Sequence, residues 1–131
     1  MLNINKSIEY SLIAIKHIKS KSNKSCSTKE IAKQYNIPKE LLAKILQRLS
    51  KCGYLNSTRG TNGGYSLNKN LERINLIDFI ESIEGPIGAV KCNLNLDCNV
   101  YDICNIKNPM NLINDNIRNS LKKIKIYDLT N

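Results

Sequence analysis

Residues 27–67 read STKEIAKQYNIPKELLAKILQRLSKCGYLNSTRGTNGGYSL, and they hold the clearest structural signals in the chain. Ser27 followed three positions later by Glu30 is typical of a capping box, which predicts a helix over roughly 28–34. A three-residue turn follows, and Pro38 is suited to be the first residue of another helix because that position needs no N–H donor. Two short helices joined by a tight turn predict a helix-turn-helix.

The second of these helices has one continuous apolar face and ends in front of Gly53. That face is predicted to consist of Leu41, Leu42, Ile45, Leu46 and Leu49. Residues 54–59 then have the composition of a strand, residues 60–64 that of a turn, and residues 65–67 that of a returning strand. A helix-turn-helix followed directly by a hairpin predicts a winged helix.

Helical periodicity also predicts three further elements outside this stretch. Ile8, Leu12, Ile15 and Lys19 mark a first helix, and Asn75 caps a helix that runs to about Glu84. Beyond Pro109 a last helix carries Leu112 or Ile113, Ile117, Leu121 and Ile124. It is too long for the small core to cover, so it is interpreted as a dimerisation helix.

The predicted fold is mainly α with a small β-hairpin, built as a winged helix-turn-helix domain and a long C-terminal dimerisation helix. Its expected parts are a winged helix-turn-helix domain over 1–85, a cysteine-rich loop over 86–108, and the dimerisation helix and tail over 109–131. The length of 131 residues fits one domain with an appended oligomerisation element.

The net charge of +9 is distributed very unevenly. Residues 1–69 contain thirteen Lys and Arg against three acidic residues, whereas residues 70–131 contain seven against eight. Such asymmetry favours one half that faces a polyanion. A single histidine disfavours enzyme chemistry. With no Trp and one Phe, the sequence does not indicate an aromatic-lined pocket, and no small-molecule substrate is expected. Because no stretch is apolar enough for a membrane span, the sequence predicts a cytoplasmic protein.

The polar face of the second helix and the glycine-rich wing are the predicted DNA contacts. Lys44 is expected to address guanine acceptors, while Lys39 and Arg48 hold phosphates. Arg59 is expected to enter the minor groove beside Gly60, where glycines allow the backbone close to the duplex. The alternative is a tight hairpin whose arginine is merely solvated.

Three cysteines, Cys92, Cys98 and Cys104, form a C-x5-C-x5-C run in a polar stretch. Three thiolates so close together suit iron–sulfur or zinc ligation, although the short knuckle usual for zinc is absent. Three buried apolar cysteines are the plainer alternative. Cys26 and Cys52 are interpreted as structural, and His17 as a surface or packing residue.

The wing segment GYLNSTRGTNGGY, the helix LLAKILQRL and the cysteine run together resemble the IscR/NsrR branch of the Rrf2 transcription regulators, over about residues 6–121. The resemblance implies a homodimeric winged-helix protein that binds a pseudo-palindromic site in double-stranded DNA. It implies an iron–sulfur cluster, 2Fe-2S in preference to 4Fe-4S, whose state sets the affinity for DNA.

Carried over by position, the resemblance makes Cys92, Cys98 and Cys104 cluster ligands and Arg59 the minor-groove arginine. It places the recognition-helix contacts on Glu40, Ala43 and Lys44. Where IscR-type proteins have a histidine ligand, this chain has Lys107, which cannot ligate while protonated. NsrR-type proteins use a carboxylate from the partner's first helix, and the matching residue here is Glu9. The alternatives for the fourth ligand are Asp97, Asp102, a water or a small thiol, with Glu9 then a solvated carboxylate.

The expected function is therefore that of an IscR-like regulator of cluster biogenesis or stress genes that senses cluster status. The alternatives are a cluster-free thiol- or zinc-sensing winged-helix regulator and a nitric-oxide-sensing, NsrR-like repressor. A metallo-cluster carrier whose basic half is incidental is the alternative outside the DNA-binding class.

Overall fold

The computed structural model describes residues 4–22, 24–68, 71–88 and 98–131. Six α-helices and one two-stranded sheet are described, with a short 3-10 helix at Leu71–Arg73. In chain order the elements are α1 (Lys6–Ser20), α2 (Thr28–Tyr35), α3 (Lys39–Lys51), β1 (Leu55–Thr58), β2 (Gly64–Leu67), α4 (Leu76–Glu84), α5 (Lys107–Lys122) and α6 (Ile126–Leu129).

The helix-turn-helix consists of α2 and α3, as the sequence predicted. Ser27 caps α2 by accepting a hydrogen bond from the backbone N–H of Glu30 at 3.1 Å. The turn between the helices depends on Asn36, which takes the left-handed conformation at φ 54°. Pro38 lies at the cap rather than at the first helical position, and it accepts from the N–H of Leu42 through its carbonyl.

The apolar face of α3 is narrower than predicted. Leu42, Ile45, Leu46 and Leu49 are buried in the core, whereas Leu41 is exposed. Adjacent residues lie about 100° apart around a helix, so Leu41 falls just outside the arc of the four buried residues, and the apolar pattern alone could not exclude it. The exposed leucine leaves an apolar side chain on the outer side of this helix.

The wing is an antiparallel hairpin with the register Leu55–Leu67 to Thr58–Gly64. Its first strand leaves a turn at Gly53, whose φ is 83°. The second strand is fixed to the segment before α2 by two backbone hydrogen bonds between Cys26 and Tyr65, of 2.9 and 2.8 Å. A side chain at Gly64 would collide with the backbone of Cys26. The wing is thus held against the helix-turn-helix.

The C-terminal part differs from the expectation of one long last helix. α5 begins at Lys107, two residues before Pro109, and ends at Lys122. The chain then returns to the core, where Ile126 is fully buried and its N–H donates to the carbonyl of Ile74 at 2.9 Å. We call residues 4–88 and 123–131, as far as they are described, the head. In the described part of the chain, none of the helices is both long and apolar enough to cross a membrane.

Candidate DNA-reading surface and cysteine segment

The predicted DNA contacts lie together on the solvent side of α3 and at the tip of the wing. Lys39, Glu40, Lys44, Arg48, Arg59 and Gly60 are all exposed, and Ala43 is half-buried among them. Within the residues that the structure describes, none of the four cations in this set forms a salt bridge with an acidic side chain. Their charge is therefore free to act on an external anion.

Two glycines shape the tip of the wing. Gly60 has φ 108°, a conformation that residues with a side chain rarely adopt. Gly63 donates its N–H to the carbonyl of Gly60 at 3.0 Å, and a side chain at Gly63 would collide with the backbone of Thr58. This compact turn directly follows Arg59, whose side chain is exposed at the tip.

Two of the three predicted cluster cysteines lie in the described residues. Cys98 is exposed and Cys104 is half-buried, and neither forms a disulfide. They flank a turned stretch in which Tyr101 donates its N–H to the carbonyl of Cys98 at 3.2 Å. Cys92 lies outside the described residues. We call residues 98–106 the cysteine segment; it leads directly into α5.

Apolar side chains are exposed along the cysteine segment and α5. Ile103 is 82% exposed and Leu112 is 63% exposed, and no residue of α5 is buried. Val100, Tyr101, Ile106 and Ile113 are exposed as well. A surface with this many exposed apolar residues is typical of an interface with another molecule.

Arg118 connects α5 to the end of α4. Its guanidinium donates to the carboxylate of Glu81 at 2.7 Å and to the backbone carbonyl of Ile87 at 2.8 Å. Ile87 is followed at once by the stretch that contains Cys92. The arginine therefore fixes the point where the chain leaves the head relative to the helix that follows the last cysteine.

Glu9 lies on the first turn of α1 and is exposed. Its carboxylate accepts a hydrogen bond from Lys6 at 2.9 Å, and this contact raises the pKa of Lys6. An exposed ion pair of this kind is weak, so the carboxylate can exchange it for another partner. The structure does not bring Glu9 together with Cys98 or Cys104 by any described contact.

A second group of chemistry-bearing residues was not anticipated as a unit from the sequence. His17, Cys26 and Glu30 place one nitrogen, one sulfur and one carboxylate oxygen within 4.8 Å of one another. Nε2 of His17 lies 2.6 Å from Oε2 of Glu30, and Nδ1 lies 2.8 Å from the hydroxyl of Tyr35. The glutamate was expected to complete the capping box, but its carboxylate contacts the histidine instead.

Burial and hydrogen bonding shift the pKa values of Cys26 and Glu30 in this group. His17 and Cys26 are buried, whereas Glu30 is exposed. Desolvation, and then the nearby charge of Glu30, raise the pKa of the Cys26 thiol to about 11. The hydrogen bond from His17 lowers the pKa of Glu30. The sequence offered no signal for this group, because its members are 4 to 13 positions apart and on different elements.

Sequence comparison relates the chain to a family of transcription regulators. Residues 4–131 match the Rrf2 family, described as "Iron-dependent Transcriptional regulator". The chain is 35% identical over 106 residues to the HTH-type transcriptional regulator NsrR of Bacillus licheniformis, which spans 79% of this chain and 74% of that protein.

Solved structures are similar over nearly the whole chain. CymR, the global cysteine regulator of B. subtilis, gives a TM-score of 0.77 at 26% identity and covers 99% of this chain and 97% of its own. T. potens IscR gives a TM-score of 0.73 at 23% identity, with 98% and 85% covered. The predicted winged helix-turn-helix fold is confirmed.

Proposed function

The chain belongs to the Rrf2 family of transcription regulators, and on that premise we propose that its hold on DNA depends on an iron–sulfur cluster bound by Cys92, Cys98 and Cys104. The protein is a transcription regulator and not an enzyme. The proposal adds Glu9 as the fourth ligand and 2Fe-2S as the favoured cluster, with 4Fe-4S as its alternative. The signal is then cluster status, and nitric oxide is the alternative signal of an NsrR-like repressor.

The observation that carries this proposal is the accessibility of the segment cysteines. Cys98 and Cys104 are unpaired and reach the surface, while Cys26 in the head is buried. Soft thiolate donors in an irregular stretch are the ligands that iron–sulfur clusters use, so the described donors fit the group. The family's description as iron-dependent supports the same metal.

When bound, the cluster supplies a centre that oxidants and nitric oxide can modify. Cys98 and Cys104 would hold it from the chain's own segment. Glu9 would reach it from the first helix of the partner subunit, for which its exposure on α1 is a requirement. A carboxylate is a harder ligand than a thiolate, which suits a site that must release its metal.

The DNA contacts are assigned to the exposed cationic surface of the head. Lys39 and Arg48 would hold phosphates, Lys44 would read base edges beside Glu40 and Ala43, and Arg59 with Gly60 would enter the minor groove. Because the four cations lack acidic partners in the described part of the head, a duplex can take their charge without first breaking ion pairs.

Dimerisation is assigned to the exposed apolar surface of α5. Burial of Leu112 and Ile113 against a second copy would remove the largest exposed apolar side chains of this helix from water. A two-fold dimer then presents two recognition helices to a pseudo-palindromic site. The proposed division of the chain is DNA binding in 1–85, cluster binding in 86–108 and dimerisation in 109–131, although residues 123–131 pack against the head.

Arg118 offers a hydrogen-bonded connection between the head and the segments that carry the proposed cluster ligands. It joins the end of α4, the departure point of the cysteine-bearing stretch and α5. A segment that is ordered around its ligands would favour one orientation of the two heads. A tenfold change in DNA affinity requires only about 1.4 kcal/mol of differential binding.

Anaerobic purification tests the metal part of the proposal. The full-length protein is expected to be coloured and to contain stoichiometric iron and inorganic sulfide, and Cys98→Ala is expected to lose both. Cys52→Ala is the matched control, because this cysteine is half-buried in the head and donates to the carbonyl of Ser82. A colourless wild-type protein without sulfide would leave the thiol- or zinc-sensing alternative.

DNA binding is tested with a duplex that the protein itself selects from a random pool. Arg59→Ala is expected to weaken binding by about 1–3 kcal/mol, or roughly 5- to 150-fold. Arg73→Ala, which removes another exposed arginine of the head, is expected to leave the affinity nearly unchanged. Equal affinities of the two variants would remove Arg59 and the wing from the contact surface.

A further inference from the structure

We propose that His17, Cys26 and Glu30 form a second metal site, inside the DNA-binding head, that takes a borderline divalent cation such as Zn²⁺. The site is distinct from the cysteine segment and does not depend on the function proposed for it. Its three ligand atoms lie within 4.8 Å of one another, and each comes from a different part of the head.

The donor set has the chemistry of a zinc site. One imidazole nitrogen, one thiolate and one carboxylate oxygen are the three ligand types that bind Zn²⁺, at about 2.0–2.3 Å. With a neutral histidine, the thiolate and the carboxylate together balance the two charges of the ion. Because Cys26 and His17 are buried, two of the three ligands are held in place by the core.

The orientation of His17 suits ligation through Nε2. Nδ1 already lies 2.8 Å from the hydroxyl of Tyr35, so it can donate its proton there and leave the lone pair of Nε2 facing the other two ligands. Metal-binding histidines nearly always have such a partner on their second nitrogen. The short contact between Nε2 and Glu30 is then replaced by bonds from both groups to the ion.

Little rearrangement is needed to admit the ion. Tetrahedral ligands at these bond lengths lie about 3.3–3.7 Å apart. The carboxylate of Glu30 must therefore move away from Nε2 by about 1 Å, and the widest of the three separations, which are all within 4.8 Å, must close by about 1 Å. Its side chain is 46% exposed and can make this movement without disturbing the core. The same exposure lets water reach the fourth coordination position.

Binding releases the proton of the Cys26 thiol to solvent. Lys21 favours the thiolate of Cys26, but its effect is smaller than that of burial and of the Glu30 charge, which favour the thiol. A coordinated divalent ion would supply the missing positive charge. The nearby carboxylate and imidazole complete the set of titratable groups in the cluster. No oxidation or reduction is involved.

An ion at this position would join three elements of the head. His17 lies on α1 and Glu30 on α2, while Cys26 is hydrogen-bonded through its backbone to Tyr65 of the wing strand β2. The bound ion would therefore couple the helix-turn-helix to the wing that carries Arg59. Its expected consequence is a stiffer head with a higher Tm.

Cobalt binding tests the site with a spectroscopic signature for thiolate ligation. The probe is Co²⁺ alone, added without air to full-length protein in which Cys92→Ser, Cys98→Ser and Cys104→Ser remove the segment thiols. One equivalent is expected to bind with a thiolate-to-cobalt charge-transfer absorption, and Zn²⁺ is expected to displace it. Zn²⁺ at 100 times its Kd should raise the Tm by roughly 5 °C or more.

Single substitutions in that background identify the ligands. Cys26→Ser is expected to abolish the charge-transfer absorption, Glu30→Gln to weaken Co²⁺ binding at least tenfold, and Cys52→Ser to change neither. Absence of Co²⁺ binding, or an absorption that survives Cys26→Ser, would overturn the site. Should Cys26→Ser fail to fold, the exposed Glu30→Gln decides, and an unchanged affinity there would also overturn it.

Discussion

The head and the stretch from Cys98 to the end of α5 place the same residue types in opposite environments. In the head Ile126 is fully buried and Cys26 is nearly so, whereas Ile103 is 82% exposed and Cys98 is exposed. The head buries a continuous apolar cluster from α1 to α6, while α5 buries no residue at all.

The difference shows which region of the molecule buries its apolar side chains within a single chain. Apolar burial is the main source of folding free energy, so most of this free energy comes from the head. In the cysteine segment and α5, Leu121 packs against the core of the head, but Ile103 and Leu112 are exposed. These exposed apolar side chains are typical of a surface that contacts another molecule. The predictions below test this contrast between the two regions.

The largest effect is expected for a buried isoleucine of the head. Ile126→Ala should lower the free energy of unfolding by about 2–5 kcal/mol, because it leaves a cavity in the core. Ile103→Ala, the same change in the cysteine segment, should alter it by less than about 0.5 kcal/mol. Denaturant titration at one protein concentration measures both, and similar values would show that the segment is packed like the head.

Thiol alkylation tests the same contrast by chemistry. Because burial raises the pKa of Cys26 to about 11, it is the protonated thiol that persists at pH 8, and the thiolate fraction is about 0.1%. That fraction is roughly a hundredfold smaller than for a thiol with a pKa near 9, and it grows about tenfold per pH unit up to about pH 10. Mass-spectrometric mapping of metal-free protein with iodoacetamide should show Cys98 modified first. Modification of Cys26 at a comparable rate would contradict its burial.

A charged substitution tests whether the apolar surface of α5 forms the dimer contact. Leu112→Glu should raise the dissociation constant of the dimer at least about tenfold, since each subunit would bury a carboxylate in place of a leucine. Leu129→Glu makes the same change at an exposed leucine of the head. Sedimentation equilibrium distinguishes the two, and equal effects, or none, would place the dimer contact elsewhere.

The smallest effect is expected at the connection between the regions. Arg118→Ala should lower the free energy of unfolding by about 1 kcal/mol, because the contacts with Glu81 and Ile87 are partly exposed to solvent. In air, the Arg118→Ala variant should lose its iron roughly two- to fivefold faster than the wild-type protein. Arg118→Lys keeps the charge but not the fork of donors, so it should resemble the alanine variant. Wild-type rates of iron loss in both would exclude a role for this connection.

The sequence predicted the head well because its signals are local. Ser27, Asn36 and Asn75 each act within three or four residues, and the apolar period of α1 to α4 follows from helix geometry. Between the adjacent leucines 41 and 42 that period was ambiguous, and the outer position of Leu41 was missed. The return of the chain to the core at Ile126 was also missed, because one residue in a short helix has no period.

Side chains that meet across elements were beyond the reach of sequence patterns. His17, Cys26 and Glu30 were each interpreted alone, as a packing histidine, a structural cysteine and a capping glutamate. The contacts of His17 with residues of α2, and the backbone bridge that fixes Cys26 to the wing, bring their ligand atoms together. The ligand set of the proposed cluster stays a prediction, since Cys92 lies outside the described residues and Glu9 would act across two subunits.

The dependence of DNA affinity on the bound iron is tested most directly by measuring the affinity of one preparation twice. The affinity of anaerobically purified protein for its selected duplex is determined at fixed salt, first with its iron and again after the iron is removed by a chelator. We expect the two dissociation constants to differ by at least tenfold while the protein remains dimeric. Equal constants in iron-replete and iron-free protein would contradict the account.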